Sequence, residues 1–162
     1  MKTNKIIEHK GDVIEAALIG NYDAFIHVAN CENVMGGGLA LQVRHRIPSL
    51  YKADCDYWIP SDYRLGLFSR SHFSETTVGF NLYAQQIPDS SSRQLNYGSL
   101  VNSLSESIDY MIQNGIVCEN IIKVCLPKLM GCGLAGGDWK IVKELLQYTH
   151  FDCTVEFHTY EF

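Results

Sequence analysis

Continuous apolar runs of strand length alternate along the chain with segments whose apolar positions recur every three or four residues. The apolar runs and shorter alternating patterns predict strands at 6–9, 24–30, 65–68, 78–84, 121–127 and 154–158. Helical spacing predicts helices at 13–18, 39–46, 97–114 and 139–148. Because strands alternate with helices, we expect an α/β fold, a three-layer α/β/α sandwich with a mixed, mostly parallel sheet.

Helix-breaking and polar residues mark the ends of these segments. Pro48 ends the second predicted helix, Gly115 caps the third at its C-terminus, and Asp138 caps the fourth at its N-terminus. Residues 50–71 are rich in aromatic side chains and lack a helical period, so we expect irregular structure there apart from the strand at 65–68. The serine-rich segment at 88–92 is predicted to be a surface loop.

Two glycine clusters carry the strongest chemical signal. Gly36-Gly37-Gly38 follows the strand at 24–30, and a Gly-Cys-Gly-Leu-Ala-Gly-Gly segment at 131–137 follows the strand at 121–127. Glycine lets successive backbone N–H groups converge on one anion, and a helix that begins there adds the positive end of its dipole. We therefore expect a nucleotide diphosphate at these loops, although neither cluster has the spacing of a dinucleotide or nucleoside triphosphate fingerprint.

Composition narrows the class of protein further. The 162 residues, 46% of them hydrophobic, suit a single domain covering 1–162. A formal net charge of -5 without a Lys/Arg block argues against broad nucleic-acid binding. No apolar stretch approaches the ~20 residues that span a bilayer, and the six cysteines include no CxxC pair. We expect a cytoplasmic monomer without disulfides that does not bind membranes.

The sequence predicts neither a metal site nor a reactive cysteine. The histidines other than His27 are scattered along the sequence, so we predict no metal and no cofactor. Cys31 and Cys132 fall in the predicted loops, but the sequence pairs neither of them with a histidine, and we assign them no role.

Three segments together resemble a macrodomain. They are Gly11-Asp12 after the first strand, the His-Val-Ala-Asn segment at 27–30, and the Leu-Pro pair at 126–127 ahead of the second glycine cluster. The resemblance runs from the first strand to the last. It is closest to the branch that holds ADP-ribose 1″-phosphate phosphatases, their phage-encoded relatives and the terminal ADP-ribose–protein glycohydrolases.

The resemblance implies a cleft that binds ADP-ribose or ADP-ribose 1″-phosphate. Asp12 would accept a hydrogen bond from the adenine amino group, unless it only completes a Gly-Asp turn, and Asn30 would hold the distal ribose. Backbone amides of the two clusters would bind the diphosphate. The implied ligand contacts are Asp12, Val13, Asn30, Gly36, Gly37, Gly38, Leu39, Met130, Gly131, Cys132, Gly133, Leu134, Ala135 and Gly136.

The chain departs from two catalytic patterns of that family. Leu39 and Ala40 follow the triple glycine, where deacetylase-type macrodomains have an Asp that activates water. The nucleophilic Lys and the second-loop Asp of the glycohydrolases correspond to Gln85, within one residue, and to Ala135. Since neither Gln nor Ala forms a Schiff base, lysine-dependent deribosylation is not expected.

We therefore expect a phosphatase that converts ADP-ribose 1″-phosphate to ADP-ribose and phosphate, with His27, Asn30 and Asp138 as catalytic candidates. An imidazole titrates near neutrality, so His27 could act as acid or base, unless it is a hydrogen-bonded histidine packed in the sheet. Asp138 could activate water, or it could only cap a helix.

Two other functions compete with the phosphatase. One is binding of ADP-ribose or a related NAD-derived nucleotide without catalysis, which the missing carboxylate and lysine favour. The other is removal of ADP-ribose from modified macromolecules. The aromatic residues at 51–63 either cover the core under a long loop or close over the distal ribose or stack on adenine. Tyr83 and Tyr97 are predicted to lie near the cleft.

Overall fold

The computed structural model describes residues 3–88, 94–115, 121–133 and 135–162. The strands are β1 (Lys5–Lys10), β2 (Ala24–Asn30), β3 (Phe68–His72), β4 (Val78–Gln85), β5 (Ile121–Pro127) and β6 (Thr154–Glu161). The helices are α1 (Val13–Ile19), α2 (Gly38–Arg46), α3 (Pro48–Cys55), α4 (Tyr97–Gln113) and α5 (Trp139–Tyr148). A 3₁₀ turn covers Ser61–Tyr63.

These strands form one sheet in the order β1-β6-β5-β2-β4-β3. Neighbouring strands are parallel except at the edge, where β3 runs antiparallel to β4. The predicted mixed, mostly parallel sheet is therefore confirmed. Because five strands run in one direction, the segments that follow β1, β2, β4, β5 and β6 all emerge at the same edge of the sheet.

Helices cover both faces of the sheet, as the three-layer prediction requires. Alternate residues of β2 face opposite sides: Ala24 and Ile26 pack with α4 and α5 in the larger cluster, and Phe25 packs with α1, α2 and α3 in the smaller one. On the larger side, α4 contributes Leu100, Leu104, Ile108 and Met111. Burial of these apolar faces, rather than helix propensity, holds the helices on the sheet.

Most element bounds match the sequence-based prediction. The bounds of β2, β5 and α5 are those predicted, and β4 and α4 differ by one residue at one end. Asp138 is the N-cap of α5, where its Oδ1 accepts a hydrogen bond from the Lys140 amide at 2.9 Å. Gly115 follows the end of α4 with φ 63°, the left-handed conformation that glycine adopts at little cost.

The prediction was wrong between residues 48 and 72. Pro48 ends α2 but also begins α3, because proline at the first helical position needs no amide partner. The strand expected at 65–68 begins only at Phe68, since Gly66 lies in a turn with φ 86°. The predicted loop at 88–92 lies outside the described residues except for Pro88.

No helix within the described ranges is both long enough and apolar enough to cross a bilayer.

Candidate functional site

A cleft of about 740 Å³ opens at the edge of the sheet where the parallel strands end. Its walls come from the ends of β2, β4 and β5, the segments that follow them, the start of α2 and one residue of α3. Among the predicted site residues, those that line it are His27, Asn30, Gly36, Gly37, Gly38, Leu39, Met130, Gly131, Gly133 and Ala135. Both glycine clusters therefore face one cavity.

The first cluster leaves a helix N-terminus open to the cleft. Gly37 is the N-cap of α2 and has no side chain to satisfy the first-turn amides, whereas Asp12, Asn96 and Asp138 cap α1, α4 and α5 through their side chains. Four N–H groups of a helix lack an intrahelical partner at this end. An anion in the cleft can therefore accept hydrogen bonds from the start of α2.

Asn30 shapes this first loop from within. Its side-chain Nδ2 donates to the Val34 carbonyl at 2.6 Å, and its Oδ1 accepts from the amides of Glu32 at 3.0 Å and Val34 at 3.3 Å. Asn30 is buried yet lines the cleft. It therefore fixes the path of residues 31–34 that leads to the triple glycine.

The second cluster combines packing with an open amide. A Cβ on Gly137 would clash with Leu95 Cδ2 and lie 2.7 Å from the Gly131 carbonyl oxygen, and Gly131 has a left-handed φ of 73°, so these two positions favour glycine. A Cβ on Gly133 would meet no atom within 4 Å. Among the described residues, the amide of Gly133 donates to no backbone carbonyl, which leaves it available to a ligand.

Some predicted site residues lie elsewhere. Asp12, Val13, Cys132, Gly136 and Asp138 do not line the cleft, and Leu134 lies outside the described residues.

Asp12 is engaged by its neighbours. Oδ1 accepts from the Ile14 amide at 2.9 Å, and Oδ2 accepts from Arg46 Nη1 at 2.6 Å. Burial raises the pKa of Asp12, but the hydrogen bonds from Arg46 and from the Glu15 and Ile14 amides outweigh that effect and lower the pKa below its ordinary value. The carboxylate caps α1 and ties it to the end of α2, and recognition of adenine by this carboxylate stays a prediction.

His27 is buried on the α1–α3 face of β2, with its ring stacked on Phe25 at 5.8 Å between centroids. Its Nε2 lies 2.6 Å from Asn81 Oδ1 on the neighbouring strand β4. The Asn81 Nδ2 donates to the Leu50 carbonyl at 3.0 Å, which fixes the orientation of the amide, so His27 Nε2 must be the donor and Nδ1 carries the lone pair. Burial lowers the pKa of His27 to about 4, and the imidazole is neutral at pH 7.

Asp54 of α3 also lines the cleft, although it was not among the site residues predicted from the sequence. Its side chain is 1% exposed, and Oδ1 accepts from Tyr83 Oη at 2.6 Å. Arg64 Nη1 lies 3.9 Å from the same oxygen. Burial raises the pKa of Asp54, and the Tyr83 hydrogen bond and the Arg64 charge oppose that shift without cancelling it. Leu50 and Asp54 are four residues apart and are both buried on α3. Had α3 been predicted, this helical spacing would have placed Asp54 on its buried face.

Lys128 supplies a positive charge to the cleft wall directly after β5. Its Nζ lies 3.2 Å from Glu161 Oε2, and its side chain is partly exposed. A partly exposed ion pair is weak, so the ammonium can turn from Glu161 to a bound anion at small cost. Lys128 was not predicted from the sequence, because a single lysine does not form a recognisable motif.

Gln85 occupies the cleft position where β4 ends, and Gln86 does not line the cleft. The Gln85 side chain donates from Nε2 to the Ile87 carbonyl at 2.8 Å. Ala135 is the matching position on the second loop, and its carbonyl accepts from the Gln94 and Leu95 amides at 2.8 Å and 3.0 Å. Neither side chain can transfer a proton or act as a nucleophile.

The cysteines near the loops are poorly ionised. Burial raises the pKa of Cys31 to about 11 and that of Cys132 to about 11, so both thiols are protonated at pH 7.

Two histidines that are distant in sequence meet on the sheet. His9 Nε2 lies 2.8 Å from His158 Nδ1, where the sequence suggested only scattered histidines. Among the residues that the structure describes, no group of three side chains is arranged to hold a metal ion.

Comparison with known proteins gives the fold a family context. No family model matches the chain. A relative by sequence is the "Uncharacterized 17.5 kDa protein in tk-vs intergenic region" of Enterobacteria phage T4, 28% identical over 141 residues, which cover 85% of this chain and 84% of the relative.

Among solved structures, the macrodomain of Thermus aquaticus DarG matches with a TM-score of 0.72 and 20% identity, covering 98% of this chain and 99% of that one. DarTG of Thermosipho africanus, solved in complex with ADP-ribose, matches with a TM-score of 0.69 and 18% identity, covering 98% of this chain and 43% of that one. The protein therefore has the fold of these macrodomains.

Proposed function

We propose that the cleft binds ADP-ribose, with the diphosphate between the two glycine loops. The observation that carries this proposal is that the uncapped start of α2 and Gly133, whose amide donates to no backbone carbonyl of a described residue, both line one cavity. Converging amides and a helix N-terminus suit phosphate oxygens. The DarTG structure of the same fold contains ADP-ribose, which supports this choice among nucleotide diphosphates.

We further propose that the protein hydrolyses ADP-ribose 1″-phosphate to ADP-ribose and phosphate. Water would attack phosphorus, and the bond between phosphorus and the oxygen on C1″ would break. Because His27 is neutral and its Nε2–H is donated to Asn81, its part would be to accept the proton of the attacking water at Nδ1. The leaving oxygen would take a proton from solvent, and the loop amides would stabilise the phosphate charge.

Binding without catalysis is the second candidate. It is favoured by the burial of His27 and by a pKa of about 4, which makes the imidazole a weak base. Removal of ADP-ribose from macromolecules is disfavoured, because Gln85 and Ala135 line the cleft where that reaction would need a lysine and a carboxylate.

The experiment is to incubate the purified protein with ADP-ribose 1″-phosphate, to measure phosphate release, and to titrate plain ADP-ribose by calorimetry. Turnover together with binding is the result we expect, and binding without turnover would leave the second candidate. His27→Ala separates the roles of the histidine: lost turnover with retained ADP-ribose affinity would make it chemical. If ADP-ribose does not bind, the proposal is wrong.

A further inference from the structure

A buried chain of polar groups runs beneath α3 and ends at the cleft. It starts at His27 on β2 and ends at Asp54, and the groups between them are Asn81, Ser69 and Tyr83. Burying so many polar groups is costly unless each finds a partner, so the chain needs an explanation beyond filling space.

The donors in this chain all point towards Asp54. Asn81 Nδ2 donates to Ser69 Oγ at 2.9 Å, which leaves the Ser69 hydroxyl to donate to Tyr83 Oη at 2.7 Å. Because Tyr83 Oη accepts from Ser69, its own proton is left to donate to Asp54 Oδ1 at 2.6 Å. The chain therefore holds one oxygen of Asp54 in a fixed position.

Arg64 partly offsets the effect of burial on the pKa of Asp54. Its guanidinium lies 3.9 Å from Asp54 Oδ1 and is itself held by the Ile59 carbonyl at 2.6 Å and the Tyr57 carbonyl at 3.0 Å. It also donates to Asn33 Oδ1 in the first glycine loop. The same cation thus ties Asp54 to the loop that starts the diphosphate site.

The other oxygen of Asp54 is left for a ligand. Oδ2 accepts no hydrogen bond from a described residue, although the side chain is 1% exposed and forms part of the cleft wall. Gln85, in the same wall, marks the end of β4. In the sheet, β6, β5 and β2 lie between β4 and β1, the strand that Asp12 follows.

We infer that Asp54 Oδ2 accepts a hydrogen bond from a hydroxyl of the sugar beyond the diphosphate, which makes Asp54 a specificity-determining residue for an ADP-sugar over ADP. A hydroxyl is the group that fits, because a carboxylate repels phosphate oxygens and receives hydrogen bonds from sugar hydroxyls. The inference rests on the proposed binding of ADP-ribose and adds the residue that recognises its distal ribose.

The test is a calorimetric titration of the wild-type protein and Asp54→Asn with ADP-ribose and with ADP. A hydrogen bond to a charged group contributes enough that its loss lowers affinity about 10- to 100-fold. We expect that loss for ADP-ribose and unchanged affinity for ADP. Asp62→Asn is the matched control, because Asp62 is exposed in the 3₁₀ turn and does not line the cleft, and it should bind both ligands as the wild type does.

Each other outcome overturns the inference. Wild-type affinity of Asp54→Asn for ADP-ribose would mean that the carboxylate does not contact the sugar. An equal loss for both ligands, with a lower melting temperature, would mean that Asp54 acts only on the fold. If Asp54→Asn does not fold, Tyr83→Phe, which keeps the carboxylate but frees Oδ1, must change the affinity for ADP-ribose and not for ADP.

The wild type alone separates this inference from the proposed function. If it binds ADP-ribose no more tightly than ADP, the sugar contact is absent while the diphosphate site stands. If it binds neither ligand, the proposed function fails as well.

Discussion

Gly133→Glu places a carboxylate in the proposed diphosphate site without disturbing the fold. A Cβ at this position would meet no atom within 4 Å, and Gly133 has no left-handed φ that a side chain would strain. The folded protein should therefore keep its stability. In the cleft, the new carboxylate would lie close to phosphate oxygens that the neighbouring amides bind.

The size of the effect follows from Coulomb's law. Two unit charges about 5 Å apart at an effective dielectric constant of about 20 repel each other by about 3 kcal/mol. That energy corresponds to roughly a 150-fold loss of affinity. Gly133→Ala adds the Cβ without the charge and should bind ADP-ribose nearly as the wild type does.

Calorimetric titration with ADP-ribose measures this effect, and thermal unfolding checks the fold. Gly98→Glu is the matched control, because Gly98 is exposed in the first turn of α4, where a Cβ would make an ordinary 3.5 Å contact with Asn96 Oδ1. It adds the same charge away from the cleft and should leave the affinity unchanged. Wild-type affinity of Gly133→Glu would refute the placement of the diphosphate at the second loop.

Three further changes test the site and its scaffold. The pKa of His27 is about 4 in the folded protein against 6.5 when unfolded, so the unfolded state alone takes up a proton as the pH falls from 6.5 to 4. The wild type should lose roughly 3 kcal/mol of stability over this range through His27. Between pH 6.5 and pH 4, His27→Gln should lose roughly 3 kcal/mol less stability than the wild type, as measured by urea unfolding at the two pH values. Equal losses of stability in the two proteins would contradict the burial of a neutral imidazole. Gly137→Ala should lower stability by about 1–3 kcal/mol, because its Cβ would clash with Leu95 Cδ2 and lie 2.7 Å from the Gly131 carbonyl oxygen. An unchanged melting temperature would contradict that packing. Asp12→Ala should lower the stability by about 1 kcal/mol, because the cap of α1 is lost. If Asp12 also recognises adenine, the variant should lose any preference for ADP-ribose over its hypoxanthine analogue. If Asp12 only caps the helix, that preference should persist.

The sequence predicted the sheet and the glycine loops because both depend on local pattern. A largely apolar run such as β2 is typical of a central strand, and six of its seven residues are buried. Asp138 directly before a helical period is typical of an N-cap, because its side chain can accept hydrogen bonds from the first-turn amides. The uncapped start of α2 is also a local feature, because Gly37 has no side chain that could accept hydrogen bonds from the first-turn amides.

The side chains that enter the cleft from elsewhere depend on packing between distant segments. Asp54 reaches the wall only because α3 lies against β4, and α3 was missed when Pro48 was interpreted only as the end of a helix. The pKa of His27 likewise depends on tertiary packing: burial lowers it, and the hydrogen bond to Asn81, which lies 54 positions further along the chain, opposes that shift. The periodicity of a single sequence does not predict such contacts between residues that are distant along the chain.

The most direct test of the account is a crystal structure of the protein with ADP-ribose. The account predicts diphosphate oxygens within hydrogen-bonding distance of the first-turn amides of α2 and of the Gly133 amide, with the distal ribose towards Asp54. A diphosphate bound away from both glycine loops would contradict the central claim.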